Sequence, residues 1–478
     1  IFLLAFIWLM RYFFNKATIN ATFLAARFPV AIFALFTLYV FMQSIPLPMA
    51  AVEFIAPEIA QSYSELAVVN GTPVNTAYLS LNPYVTYGKF VETFSYFLLF
   101  CLTLLLFNTR KRLRILALII VASGVFQAVY GVMMTLTGLE YGFFYEKVYG
   151  RGLATGTFVN RNHLAGYLEM ALALGLGLML ASLHRDAAQN WREFSRRMLD
   201  ALLGSKLRLR IALVLMVIAL VMTHSRMGNT AFFASMTIMG MVYLLLVKNP
   251  PRSAMVLFVS LIIIDILIVG TWFGLDKVID RLQKTQVTIQ HSDQKPSSAN
   301  LPLITDSVEG IDSTQPDHEP QAHSDSVKKL QVLSTTIESS TETRYEAYRD
   351  TLTMIKQHLL SGTGGGTYRY SFMRYQSEDV RGYWDHAHHD YLEFTAEYGL
   401  IGISLLGVLM FYSLTSALVA LRERHSRIMQ GMAFATAMAI IAILIHSAFD
   451  FNKQIPAIAA LFVVILAEAI IVRFKKMT

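Results

Sequence analysis

Apolar stretches close to 20 residues long recur along almost the whole chain, and this repetition constrains the fold more than any other feature. They fall at about 1–14 (partial), 29–48, 91–107, 113–137, 163–183, 207–223, 230–247, 253–273, 398–420, 429–447 and 455–472. A run of that length spans the roughly 30 Å hydrocarbon core of a bilayer as a helix. In lipid, such a segment has to satisfy its own backbone hydrogen bonds. Only 15% of the 478 residues are charged, against about 25% in soluble domains. The expected fold class is therefore an all-α polytopic membrane protein with about 11 spans in this chain.

The charges sort by side. NTRKRLR (108–114), the 184–210 segment, KNPPR (248–252), RERHSR (422–427) and RFKK (473–476) are basic and should face the cytoplasm. The connections 49–90, 138–162, 223–230, 274–397 and 450–456 then face outward. The net charge of +7 reflects this asymmetry and does not call for a nucleic-acid partner. Alternation puts Ile1 outside, and one further upstream helix would restore the usual start and give about twelve spans. The single cysteine, Cys101, excludes a disulfide within the chain.

Three regions follow: 1–273, helices with short loops; 274–397, a large outer loop; and 398–478, the C-terminal helices. Within the loop, 285–340 is rich in Ser, Thr, Asp, Gln and Pro and reads as a flexible low-complexity insertion. The part at 341–397 reads as helical. Thr343 and Glu346 form a capping box, and Tyr345, Tyr348, Leu352, Ile355 and Leu359 recur at helical spacing. This predicts an amphipathic helix over 344–360, ended by Gly362. The glycines of SGTGGGTYRY read as a turn, since the phosphate-binding pattern GxxxxGK[ST] is absent. A second helix is expected from about His388 to Tyr398, running into the next span.

DHAHHDYLEFTAEYGLIG (385–402) crowds His386, His388 and His389 at the edge of that span. Helical spacing would put His388, Leu392, Thr395 and Gly399 on one face. Three chemistries suit these residues. One is a metal site through Asp385 and His389, or His386 and Asp390, at i, i+4 spacing. The second is a polar helix start at the membrane surface. The third is a general base, since an imidazole accepts a hydroxyl proton at ambient pH. No HExxH or D-x-D pattern supports the metal. On the same side stand Arg226 in THSRMGNT, Arg344 at the start of the loop helix, and Arg161 and Asn162 in FVNRNHLAGYLEM. Guanidinium forks suit diphosphate oxygens. Glu169 is an intramembrane carboxylate, which marks it for function.

GTFVNRNHLAGYLEM, HSR after a span, TRYEAYRDTLTMIKQHLLSGTGGGTY, HAHHDYLEFTAEYGLIG and HSAFDFNKQIPA occur in this order and topology. From about residue 150 to the C-terminus the chain thereby resembles the O-antigen ligase superfamily of bacterial inner-membrane glycosyltransferases, which also holds O-antigen polymerases and protein O-oligosaccharyltransferases. The ligase pattern in that family is His, then Asn, Ser or Gln, nine residues, and Gly. Here it reads His388, His389, nine residues and Gly399. The resemblance implies a GT-C-like architecture and a periplasm-facing site that works without a metal or other cofactor. It implies His388 as catalytic base and Arg226 and Arg344 as diphosphate-binding arginines, with substrate contacts from Arg161, Asn162, His386, His389, Tyr391 and Arg349. The implied partners are an undecaprenyl-diphosphate-linked glycan as donor, lipid A core or a growing glycan as acceptor, and the surrounding membrane lipids. Ligase activity leads, polymerase is the alternative, and a lipid-linked-glycan transporter is the reading from a different class. A transporter would be expected to show an inverted repeat, and none is visible in the sequence.

Overall fold

Most of the long helices start where the sequence places a side chain able to accept from the first free backbone N–H groups. The computed structural model of the chain describes residues 1–71, 73, 75–147, 150–183, 192, 205–248, 250, 254–255, 258–259 and 341–474. Residues 1–258 and 340–478 belong to one compact unit. Its helices are α1 Phe2–Phe13, α2 Ala21–Ala25, α3 Arg27–Gln43, α4 Met49–Ile55, α5 Pro57–Asn70, α6 Pro83–Leu106, α7 Arg110–Thr137, α8 Arg161–Ala181, α9 Ser205–Met222, α10 Arg226–Leu246, α11 Thr341–Gln357, α12 Tyr368–Ser371, α13 Asp390–Glu423, α14 Arg427–His446 and α15 Pro456–Phe474. Asn82, Thr109, Asn160, Ser225 and His389 cap α6, α7, α8, α10 and α13. Strand structure among the described residues is confined to two-residue antiparallel pairs, Leu47–Pro48 with Thr76–Ala77 and Tyr141–Gly142 with Tyr145–Glu146.

Among the described residues, seven helices, α6, α7, α8, α10, α13, α14 and α15, are long and apolar enough to cross a membrane, and α1 and α3 are shorter apolar helices. The fold is an all-α, multi-pass membrane architecture. The expected span at 253–273, apart from residues 254–255 and 258–259, and the insertion at 285–340 lie outside the described residues. α8 and α14 are its most buried spans. They approach closely where Gly177 faces Gly431: a Cβ on either would meet the other's backbone carbonyl. Small residues allow such packing in lipid, where apolar burial alone does not drive helices together.

The connections segregate to two ends. At one end, Leu81 N donates to Thr363 O (2.9 Å), Ala154 N to Met222 O (3.1 Å) and Asp390 N to Ser447 O (2.9 Å). These bonds join the connection before α6 to the one after α11, the connection after α7 to the end of α9, and the start of α13 to the end of α14, pairings within the set that charge alternation groups together. At the other end, Arg424 reaches the Val472 carbonyl (3.0 Å) and Arg427 the Leu183 carbonyl (3.5 Å).

α13 is broken at Gly399, whose φ of 60° and ψ of −169° lie in a region open essentially to glycine alone. The loop after α11 crosses there. Gly362, with φ 69°, packs backbone to backbone against Gly399, and a Cβ on either residue would collide with the opposing chain. The break frees four backbone groups, and the loop satisfies them. Leu400 N donates to Leu359 O (2.8 Å) and Ile401 N to Leu360 O (3.3 Å), while Ala396 O and Glu397 O accept from Thr363 N and Gly364 N (both 2.9 Å). From α3, Tyr39 Oη donates to Ser361 O (2.7 Å) and Gln43 Nε2 to the same carbonyl (2.8 Å).

The loop helix α11 begins at Thr341, ahead of the expected start, so Thr343 lies inside it and not at its N-cap. The buried face also differs from the expected stripe. Ala347, Thr351 and Met354 are buried together with Ile355 of the expected stripe, whereas Tyr345, Leu352 and Leu359 are exposed. The helix packs closely at Thr351, whose Oγ1 hydrogen-bonds Tyr368 Oη at 2.8 Å, and Met354 and Ile355 extend the buried face.

Gly399→Ala should destabilise the protein by at least about 2 kcal/mol, from the disallowed backbone conformation plus the collision with Leu360. Gly407→Ala is the control, because nothing lies within 4 Å of its added Cβ. Thermal unfolding monitored by size-exclusion chromatography should separate the two, with Gly407→Ala unchanged or slightly more stable.

Candidate active site

The three histidines take three separate jobs. His389 is the N-cap of α13, its Nδ1 accepting from Leu392 N at 3.3 Å. Burial holds its pKa below the ordinary histidine value, so the ring remains a neutral acceptor. Asn and Ser, two of the residues expected at this place in the family pattern, are strong N-caps. His389 therefore does by its ring nitrogen what those side chains do. His386 Nδ1 lies 2.7 Å from Glu393 Oε1, whose other oxygen accepts from Ala387 N at 2.9 Å.

His388 is not on the helix face that spacing predicts. It precedes α13 in the left-handed region, φ 50°, a conformation costing a non-glycine residue about 1–2 kcal/mol. Tyr348 Oη, from α11, donates to its carbonyl at 2.9 Å. Its ring stands edge-on to Trp384 (5.7 Å) and Phe451 (4.9 Å), and Nδ1 points at Asp450 Oδ1, 3.7 Å away. That separation is an ion-pair distance and too long for a hydrogen bond.

Asp450 and Phe451, in the connection between α14 and α15, are the centre of the arrangement, and sequence reading passed over both as site residues. Phe451 stacks on His386 at 4.2 Å and meets His163 edge-on at 4.7 Å as well as His388. Asp450 is 1% exposed. Burial by itself would raise its pKa, but His388, His163 and His446 around it prevail and hold the carboxyl well below its usual range. The available signal was a lone acid in HSAFDFNKQ between two apolar runs. A carboxylate there is costly unless cations surround it.

The arginines come from separate elements. Arg161 is the first residue of α8, Arg226 the first of α10, and Arg344 lies in the first turn of α11. Arg344 is thus the fourth helical residue, not the first as expected. Arg226, Arg344 and Asp450 all act electrostatically on Arg161, so the chain gathers three guanidinium groups and three positively polarised helix starts beside His388. Arg344 Nε is buried and finds no hydrogen-bond partner among the described residues.

The remaining expected residues are placed as follows. Asn162 sits in the first turn of α8, its N–H donating to Asn160 Oδ1 at 2.8 Å. Tyr391 Oη donates to Leu444 O (2.8 Å), and its ring lies 4.9 Å below Lys453 Nζ. Lys453 donates to Ser447 Oγ at 2.7 Å and pairs with Asp390 at 3.5 Å. Its burial lowers its pKa in spite of that partner. Arg349 is exposed and paired with Glu346 at 2.8 Å. Glu169 is fully buried against His446, 2.7 Å away. The two i, i+4 pairs considered for a metal turn elsewhere, Asp385 to Arg369 (3.7 Å) and Asp390 to Lys453.

His386 yields a test. Burial opposes its protonation, but the Glu393 carboxylate outweighs burial and its pKa lies above the ordinary value. A histidine raised on folding stabilises the protein below its unfolded pKa of about 6.5 and loses that contribution as pH rises through the folded value. The thermal midpoint of wild type minus that of His386→Gln should therefore shrink from about pH 6.5 upward. Parallel curves across that range would show that the pair is not charged.

Residues 211–407 match the family model described as O-antigen ligase (Wzy_C). No curated protein matches the chain. The matched segment contains Arg226, Arg344, the three histidines and Gly399, while Arg161, Asp450 and Phe451 lie outside it and reach the site through the fold. The chain is thus a multi-pass membrane protein whose residues 211–407 match the O-antigen ligase family model.

Proposed function

We propose that the protein is an inner-membrane transferase whose site faces the periplasm and moves a glycan from undecaprenyl diphosphate to an acceptor hydroxyl, most simply the ligase reaction onto lipid A core. The observation that carries this reading is the convergence of Arg161, Arg226 and Arg344 beside a His388–Asp450 pair at one end of the bundle. With Nδ1 turned to Asp450, His388 presents Nε2 to the acceptor, as a general base requires. The acceptor O–H gives its proton to Nε2 while its oxygen forms a bond to the anomeric carbon. The bond from that carbon to the diphosphate oxygen breaks on the opposite side, inverting the centre. The leaving diphosphate takes the electron pair, and the guanidinium groups and helix starts stabilise its charge. Arg344 Nε and the positive helix ends are suited to such an anion. No step needs a metal ion.

The polymerase reaction, in which the acceptor is another lipid-linked repeat, uses the same chemistry, and the matched family covers both. His389 does not separate them, because its place in the pattern is a helix cap.

His388→Ala in a deletion strain should match the deletion on a surface-glycan gel, with expression confirmed by blot. Loss of all O-antigen in the deletion marks a ligase, and a single-repeat band marks a polymerase. A wild-type ladder from His388→Ala would sink the base assignment and favour transport. Asp450→Asn should lower transfer by about 10²-fold or more, since it removes the group that orients the base. Arg226→Lys and Arg344→Lys should restore only part of what Ala removes, because the fork is lost.

A further inference from the structure

A cavity of about 370 Å³ opens on the His386 side of Phe451. Lys89, Glu92, Arg369, His386, Glu393 and Glu397 line it. Most of its charges are already matched. Lys89 holds Glu92 at 3.0 Å, Arg369 faces Asp385 at 3.7 Å, and His386 holds Glu393 at 2.7 Å. Glu397 differs. Its Oε1 accepts from Tyr368 N at 3.1 Å, while Oε2 is buried without a hydrogen-bond partner among the described residues, on a residue only 2% exposed. A buried carboxylate oxygen needs a donor. A hydroxyl supplies one and a phosphate oxygen does not. The excess of carboxylates also repels a diphosphate, which the arginines beside His388 suit instead. Tyr370 adds an exposed ring to the wall, a platform of the kind that packs on a sugar face.

A second cavity, about 100 Å³, lies between α3, α6, α13 and α15, walled by Phe33, Phe394, Leu409, Phe462 and Leu466. It is an apolar groove within the spans. Lys89, Glu92 and Gln454 line both cavities, so the groove and the polar chamber adjoin at these residues.

We infer that chamber and groove form a single site for the acceptor glycolipid, with a sugar in the chamber against Glu397 and one hydrocarbon chain in the groove. Naming the ligand as the acceptor rests on the transferase reading; the presence of a glycolipid site does not.

The test uses the full chain in nanodiscs and a decyl glucoside carrying a photoreactive diazirine in its chain. Labelled peptides should map to α6 and α13 around Lys89–Tyr96 and Phe394–Met410, and unlabelled decyl glucoside should displace the label while decanol does not. Glu397→Gln should weaken that displacement about tenfold, as loss of a hydrogen bond to a charged group predicts. Leu409→Trp should remove labelling by filling the groove. Scattered labelling, or equal displacement by decanol, overturns the site even if transfer is normal, and this readout on the wild-type chain does not depend on either variant folding. Labelling that maps as expected in a chain with no transferase activity keeps the glycolipid site and overturns its assignment to the acceptor.

Discussion

The arrangement depends on one backbone crossing. At Gly399 the helix that carries the histidines stops being a helix, and at Gly362 the chain leaving the loop helix passes against it without side chains between them. Each backbone then supplies the hydrogen bonds that the other lacks. Because an unpaired peptide group near lipid costs several kcal/mol, the break and the crossing are stable only together. Tyr39 and Gln43 bind the same segment from α3, which explains polar side chains inside an otherwise apolar helix. The consequence for chemistry is positional: the first turns of α13, the end of α11 and the glycine-rich turn are locked in one register, and His388 sits at their junction.

Two sets of charges meet around the Phe451 ring. His388, Asp450 and cations contributed by α8, α10 and α11 form one, and His386, stacked on the ring, with Glu393 forms the other. Neither charge set would be tolerable alone at the mouth of a bilayer. Asp450 balances the cations, as its depressed pKa records.

Much of this was legible in the sequence because it depends on local rules. Apolar runs near 20 residues gave the spans, basic clusters gave the grouping of loops at the two ends, and the crowding of His386, His388 and His389 marked the site. Arg226 and Arg344 stood out as charges with no local reason to be there. The errors were of one kind. His388 was put on a helix face it does not occupy, Arg344 at a helix start it does not hold, and the stripe on α11 was given Tyr345, Leu352 and Leu359, which are exposed, and not Ala347 and Thr351, which are buried. In each case a three-dimensional neighbour overrode the periodicity. His388 is held in a left-handed conformation with Tyr348 bonded to its carbonyl, and Thr351 is drawn inward by its hydrogen bond to Tyr368.

By itself, the sequence determined that the chain crosses a membrane many times, which ends of its helices lie together, and which segment concentrates imidazole. Composition, span length and charge placement settle those points without reference to distant residues. Only the tertiary structure decided that Asp450 and Phe451, about sixty residues beyond His388, form the centre of the site, and that three arginines spread over residues 161 to 344 share one electrostatic field. It also decided that His389 caps a helix while its neighbour faces a carboxylate. These outcomes turn on angles and separations of a few ångströms between segments far apart in the chain, and no spacing within a single segment encodes them.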